Sequence, residues 1–143
     1  MIEYTLAIIK PDAIKRHLIG KIISRLEENQ FTIEEMKLQH LKIPDAQSFY
    51  HMHKEKPFFS SLCAFMTSYP VVLMVLSKEN AIEELRKLMG ATDPKAAAPN
   101  TIRKEFALNV EQNSIHGSDS KDSARREIAF FFLDFAETHS LVY

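Results

Sequence analysis

Pro70-Val71-Val72-Leu73-Met74-Val75-Leu76 is the stretch on which the fold turns. Six apolar residues in a row, opened by a proline, predict a strand buried on both faces. Working outward, Thr5 to Ile9 is a second short apolar run, ended by Lys10-Pro11-Asp12, and predicts another central strand. Between the two, Ile19, Ile22, Ile23 and Leu26 fall at i, i+3, i+4 and i+7, the apolar stripe of an amphipathic helix. Lys21, Ser24, Arg25 and Glu28 make its opposite face, and Asn29 is a plausible stop. Phe31, Ile33, Met36 and Leu38 predict a further strand, with a bulge where the alternation breaks between Ile33 and Met36. Pro44 and Asp45 suit the first turn of a helix carrying Phe49 and Tyr50. Lys56-Pro57 interrupts it, and Phe58, Phe59, Leu62, Cys63 and Met66 form a second helical stripe. This helical pair reads as a side wall that exposes Tyr50, with Phe58 a further candidate.

Beyond residue 76, Asn80 followed by Glu83 suggests a capping arrangement. Ile82, Leu85 and Met89 give the buried face of a helix that Gly90 stops, and Arg86 lies off that face. Residues 91–100 carry no apolar pattern, and a loop of that length in a small domain is usually functional or an interface. Thr101-Ile102-Arg103 begins another short turn or helix. Reduced to its main elements the order is βαββαβ, an α+β sandwich of the ferredoxin-like kind. Four antiparallel strands are expected to present one face to the helices. That architecture hosts many unrelated activities, so it does not give a function.

Composition narrows the classes. The chain has 143 residues, the size of one ordinary domain, and no repeat, low-complexity tract or linker divides it, so residues 1–143 read as a single domain. Apolar residues are 45% and charged residues 26%, the balance of a soluble globular protein. Lys plus Arg number 18 against 19 Asp plus Glu, without the basic excess of a nucleic-acid footprint. Cys63 is the only cysteine, so an intrachain disulfide is excluded and it reads as a small buried hydrophobe. Met1-Ile2-Glu3-Tyr4 lacks the start of a signal peptide, and no apolar run approaches the ~18 residues that span a bilayer. A cytoplasmic protein without a membrane partner is expected. Gly20, Gly90 and Gly117 are the only glycines and lie far apart, so neither a Walker loop nor Gly-x-Gly-x-x-Gly can be built. A phosphate-handling protein of this composition must grip phosphates mainly with side chains.

Such a site is suggested at residues 113–120, Asn113-Ser114-Ile115-His116-Gly117-Ser118-Asp119-Ser120. Ala124, Ile128, Phe131 and Phe132 then repeat at helical spacing, and the helix is expected to start among Ser118, Asp119 and Ser120. His116 would sit just before that N-terminus, where free backbone N–H groups favour an anion. Gly117 would let the backbone turn sharply or approach a ligand. Glu127, about two turns along, can fold back onto the imidazole. A carboxylate holding one ring nitrogen leaves the other as a nucleophile. Each piece alone is commonplace: a histidine before a helix is usually a surface or capping residue, and Gly-Ser-Asp-Ser is most often a capped turn.

The whole string is specific. It resembles the active-site signature of nucleoside diphosphate kinases, Asn-x-x-His-Gly-Ser-Asp-Ser, at every fixed position. Four further stretches are similar to that family in the same order: Thr5-Leu6-Ala7-Ile8-Ile9-Lys10-Pro11-Asp12; Tyr50 with Lys56-Pro57-Phe58-Phe59; Gly90-Ala91-Thr92-Asp93-Pro94; and Thr101-Ile102-Arg103. Gly90-Ala91-Thr92 and residues 124–129 resemble the short bacterial members. The resemblance implies phosphoryl transfer from a nucleoside triphosphate to a nucleoside diphosphate by a ping-pong route through phosphorylated His116, held by Glu127. It implies that the base stacks between Phe58 and Val110, and that Lys10 and Asn113 reach the sugar, Lys10 also the terminal phosphate. Arg86, Thr92 and Arg103 would grip the phosphates, with guanidinium forks in place of a glycine loop. Tyr50 would donate a hydrogen bond near the transferring group. Mg²⁺ would arrive with the nucleotide, since no carboxylate cluster suggests a standing metal cage.

Some readings stay open at this level. Asp119 suits a water-mediated contact to Mg²⁺ and a helix cap equally well. His51 and His53 flank Met52, but two ligands without partners are weak evidence for a metal. Lys10 on its local signal alone is a solvated strand-end lysine. Tyr69 and Asn100 stand where the family commonly has Gly. A binding module is the alternative class, since the ferredoxin-like sheet also serves single-stranded RNA; the neutral charge and lack of an aromatic, basic strand motif count against it. The resemblance implies a homo-oligomer, with the short C-terminal stretch 140–143 favouring a tetramer slightly over a hexamer. Residues 91–100 are then expected near both the phosphate site and a subunit contact.

Overall fold

The computed structural model describes residues 1–142. Tyr143, part of the stretch behind the tetramer expectation, lies outside the described residues. Strands β1 (Ile2–Ile9), β2 (Thr32–Gln39), β3 (Val71–Glu79) and β4 (Ile115–Gly117) form one sheet in the order β2-β3-β1-β4, antiparallel throughout. The helices are α1 (Pro11–Lys15), α2 (Ile19–Glu28), α3 (Ile43–Phe49), α4 (Phe59–Met66), α5 (Ala81–Met89), α6 (Ile102–Phe106), α7 (Lys121–Phe131) and α8 (Leu133–Thr138). With α2 and α5 as the two crossovers, this is the α+β, ferredoxin-like βαββαβ arrangement.

The expectation of one helix-covered face is wrong, and the strand that decides the fold shows why. Along β3, Val72, Met74 and Leu76 pack with Ile22, Leu26, Leu85 and Ile102 on one side of the sheet. Val71, Leu73 and Val75 pack with Phe49, Met66, Ile128 and Phe131 on the other. β1 alternates in the same way, Ala7 and Ile9 against Leu6 and Ile8. Two covered faces need apolar residues at both parities of the strand, which is why the run at 71–76 has no polar break. Fully burying each of the Val, Leu, Ile, Met and Phe side chains among these contributes about 1.5–3 kcal/mol. β2 is the exposed edge and reads differently: Met36 and Leu38 are open, and the register shifts between Ile33 and Glu35, at the expected bulge.

Two local expectations also change. Asn80 does not cap α5; it takes a left-handed conformation (φ 52°), and the N–H of Ile82 is met instead by Glu3 Oε1 at 2.9 Å. A carboxylate from a neighbouring strand satisfies that orphan donor, which local sequence cannot show. Gly117 lies in β4 and makes no sharp turn. A Cβ there would stand 2.6 Å from Met89 Sδ and 2.9 Å from a Leu85 methyl, so glycine is what lets α5 lie close against this strand.

Candidate active site

Strand alternation sets the histidine. Ile115 and the close approach at Gly117 both face the α5 side, so His116 between them faces the α7 side, paired across the sheet with Ile8. Its ring stands edge-on to Phe49, centroids 5.6 Å apart. His116 is thus on a strand, with Ser120 as the helix N-cap, its hydroxyl accepting from Ser123 N at 3.1 Å. Glu127 on α7 points back, and its Oε1 lies 2.8 Å from His116 Nε2. Ser118, wholly buried, donates its hydroxyl to the same Oε1 at 2.9 Å and accepts from Leu6 N at 3.3 Å. The carboxylate is therefore oriented from both sides. With Nε2–H donated to it, Nδ1 keeps the lone pair toward the cleft.

A cleft of about 500 Å³ opens over this pair. All the residues expected from the sequence line it: Lys10, Tyr50, Phe58, Arg86, Thr92, Arg103, Val110, Asn113, His116, Asp119 and Glu127. Their individual settings differ from expectation in informative ways. Lys10 is only 7% exposed, against the local reading of a solvated lysine, because β1 ends beneath the loop carrying Asn113. Its Nζ donates to Asn113 Oδ1 at 2.8 Å. Burial, and then the nearby Arg103, lower its pKa to about 8. Arg103 donates to Gly90 O at 3.0 Å and to Ile115 O at 2.9 Å, tying the end of α5 to β4. Burial and then Arg86 lower its pKa to about 10, and its buried Nε has no hydrogen-bond partner. Lys10, Arg86 and Arg103 thus crowd one cleft, Arg103 lowering Lys10 and Arg86 lowering Arg103, which suits the site to an anion.

Tyr50 is not the exposed wall residue expected; it is 6% exposed, at the C-cap of α3. Its buried hydroxyl has no partner, and burial, then Glu127, push its pKa far up, so it remains a donor. Phe58 is the exposed one, at 46%, with the His53 ring 5.4 Å away. Asn113 is engaged at both ends: besides Lys10, its Nδ2 donates to Thr92 O at 3.2 Å and Val110 O at 2.8 Å. It therefore laces the 91–100 loop to the cleft. A hydrogen bond with the Ser123 side chain holds the Asp119 carboxyl below the usual range. Among the described residues no group of three or more His, Cys, Asp or Glu could hold a metal ion, His51 and His53 included. Ser118 as the support of Glu127, and Glu111 at the cleft rim with Ser61 donating to it at 2.8 Å, were not found from sequence. Ser118 reads locally as a cap, and only the sheet brings it to Glu127.

The nucleoside diphosphate kinase family model matches residues 3–136. The chain belongs to that family. It is 56% identical over 133 residues to the nucleoside diphosphate kinase of Trichlorobacter lovleyi, covering 93% of this chain and 96% of that one. It is 57% identical over 130 residues to that of Nitratiruptor sp., covering 91% and 95%. Among solved structures, the Aquifex aeolicus nucleoside diphosphate kinase superposes with a TM-score of 0.91 at 43% identity, over 92% of this chain and 96% of that one. As a member of the nucleoside diphosphate kinase family the chain is an enzyme, a kinase of nucleotide metabolism. No helix among the described residues is long and apolar enough to cross a membrane.

Proposed function

We propose that this chain moves the γ-phosphoryl group of a nucleoside triphosphate, typically ATP, to a nucleoside diphosphate through a phosphohistidine on His116. The observation that carries the reading is the Glu127 bond to His116 Nε2, which leaves Nδ1 facing a cleft rimmed by Lys10, Arg86 and Arg103. In the first half-reaction the Nδ1 lone pair forms the N–P bond, while the bond from the γ-phosphorus to the β–γ bridging oxygen breaks. That oxygen leaves with the diphosphate. In the second, a terminal oxygen of another diphosphate attacks phosphorus and Nδ1 departs with its electron pair. No proton moves at Nδ1; the Nε2–H stays with Glu127, which stabilises the positive charge the ring gains.

The remaining residues position and neutralise. Lys10, Arg86 and Arg103 offset charge on the phosphoryl oxygens, Thr92 holds the phosphate side, and Tyr50 donates its hydroxyl near the transferring group. Asp119, which lines the cleft, would contact through water a Mg²⁺ bound with the nucleotide, and that ion would supply further charge neutralisation at the phosphates. The base lies between Phe58 and Val110, with Asn113 and Lys10 beside the sugar. Stacking uses the π-face common to all bases and is worth about 1–3 kcal/mol per base, so selectivity is low and both NTP and dNTP pools are served. The chain acts as a single domain over residues 1–143 and in the cytoplasm. It assembles as a homo-oligomer, tetramer before hexamer, a reading supported by the open β2 edge with Met36 and Leu38 exposed. Light scattering tests the assembly, and a fully active 16.5-kDa monomer refutes it.

Incubation with γ-labelled ATP tests the chemistry. Acid-labile, base-stable label is expected on the protein and is discharged by a nucleoside diphosphate. His116→Ala should lose label and transfer while still binding nucleotide. Transfer that persists in His116→Ala refutes the assignment.

A further inference from the structure

The backbone two residues before His116 is strained. Ser114 has φ 74°, and Ile115 N–H donates to Asn113 O at 2.9 Å, which together make a classic γ-turn, a rare conformation for a non-glycine residue. Such strain persists only where the surroundings over-determine it. Here they do. Asp12, 4% exposed at the start of α1, accepts from Ser114 N at 3.3 Å and from Ser114 Oγ at 3.1 Å. Arg16, one turn later, donates to Asp12 Oδ2 at 3.0 Å and to the Asp12 carbonyl at 3.1 Å. The same guanidinium reaches Phe106 O at 2.6 Å and Ser114 Oγ at 3.3 Å. The backbone closes the circuit, with Lys10 N donating to Ser114 O at 2.9 Å.

We propose that Asp12 is a positioning residue of the transfer reaction: braced by Arg16, it clamps the γ-turn at Ser114 and so holds the Lys10–Asn113 pair in place opposite His116. The inference rests on the proposed role of Lys10 in the cleft. The geometry supports it, because Asp12 and Lys10 flank Pro11 on one short segment, and Ser114 and Asn113 are neighbours on the other. A shift of the turn therefore moves both partners of the 2.8 Å Lys10–Asn113 bond at once. Asp12 also acts through charge. It raises the Lys10 pKa, as Glu111 does, against burial and Arg103. Tyr50, His53, Arg86, His116, Asp119, Arg126 and Glu127 are the other titratable groups facing the same cleft.

The test measures the single-turnover rate of His116 labelling from γ-labelled ATP across pH, with thermal midpoints as a check on folding. Asp12→Ala is expected to slow labelling roughly 10- to 100-fold, the scale of an ångström-sized misplacement. Its alkaline limb should move to lower pH. Adding Ser114→Gly to Asp12→Ala should recover most of the rate, since glycine takes positive φ without the clamp. The limb should stay low, because the charge is still missing. Should Asp12→Ala not fold, Arg16→Lys removes the fork and is expected to slow labelling at an unchanged overall charge. Parent-like labelling in the folded Asp12→Ala or Arg16→Lys variant overturns the proposal, as does a double variant that recovers nothing. Lys10→Ala separates the two levels: if it is slow and Asp12→Ala is not, only the clamp falls. If Lys10→Ala labels like the parent, the reading of the cleft falls and takes the clamp with it.

Discussion

Replacing Glu127 probes the His116 pair most directly, and the expected size follows from two bonds. Oε1 of Glu127 receives Nε2–H of His116 at 2.8 Å and the Ser118 hydroxyl at 2.9 Å. In Glu127→Gln an amide oxygen can occupy the same position and keep both bonds, so the ring stays oriented and only the charge is lost. A charge-assisted hydrogen bond is about twice as strong as a neutral one, and a neutral one contributes about 0.5–1.5 kcal/mol. The loss is then about 0.5–1.5 kcal/mol, or roughly two- to tenfold in the rate of His116 phosphorylation. Glu127→Ala removes the acceptor from both partners, frees the ring and strands the buried Ser118 hydroxyl, which costs about 1–3 kcal/mol more. Its rate should fall at least another fivefold below that of Gln. Acid-stopped single-turnover labelling gives both rates. The position of the phosphoryl group gives an independent check by phosphorus NMR, because the geometry allows only Nδ1 as the nucleophile. Label on Nε2, or a Glu127→Ala variant as fast as the parent, would refute the reasoning.

Two further outcomes follow from the same site. Lys10 is lowered to about 8, so it loses its proton, and its grip on phosphate, as pH rises through that value; kcat/KM, which reports the free enzyme, should decline above about pH 8. Lys10→Arg should remove that limb, and a limb that stays in place assigns it to another group. Gly90 takes φ 86° and ψ −178°, and a Cβ there would lie 2.5 Å from Thr101 Oγ1. Gly90→Ala should destabilise the fold by about 1–3 kcal/mol from the backbone alone, read as a lower midpoint in urea. Because the Gly90 carbonyl accepts from Arg103, nucleotide affinity should fall with it.

How far the sequence carried depended on the range of the interaction. The apolar run at 71–76, the stripe of α2 and the Gly90 stop are local patterns, and each element formed where they predicted. The break between Ile33 and Met36 located the irregularity in β2 because a bulge disturbs alternation within a few residues. The signature string singled out His116, and Glu127, seven residues past the end of that string, was within helical reach of the ring, where its Oε1 lies 2.8 Å from Nε2. What stayed hidden was tertiary. Glu3 capping α5, Ser118 turning inward to Glu127 and Asp12 reaching Ser114 all join segments distant in the chain. Tyr50 looked exposed because its helix was read in isolation, whereas the packing of α3 against the sheet buries it.

The scarcity of glycine and the burial of cations are two sides of one design. With no glycine-rich loop, backbone N–H groups cannot cradle the phosphates, and the charge must come from side chains held in advance of the ligand. Lys10 and Arg103 are held by carbonyl and carboxamide oxygens of the protein itself, at Asn113, Gly90 and Ile115. Those neutral acceptors fix geometry without cancelling charge. A carboxylate in their place would bind the cations more tightly and leave little for a nucleotide. Asp12, bonded to Ser114, and Glu111, at the cleft rim, offset the Lys10 charge only in part, and Glu127 is engaged with His116, the group that carries the phosphoryl in the proposed reaction. Burial is the first cause of the depressed pKa values of Lys10 and Arg103, and like charge adds to it, from Arg103 beside Lys10 and from Arg86 beside Arg103; both stay cationic at neutral pH, and an anion in the cleft would relieve the strain.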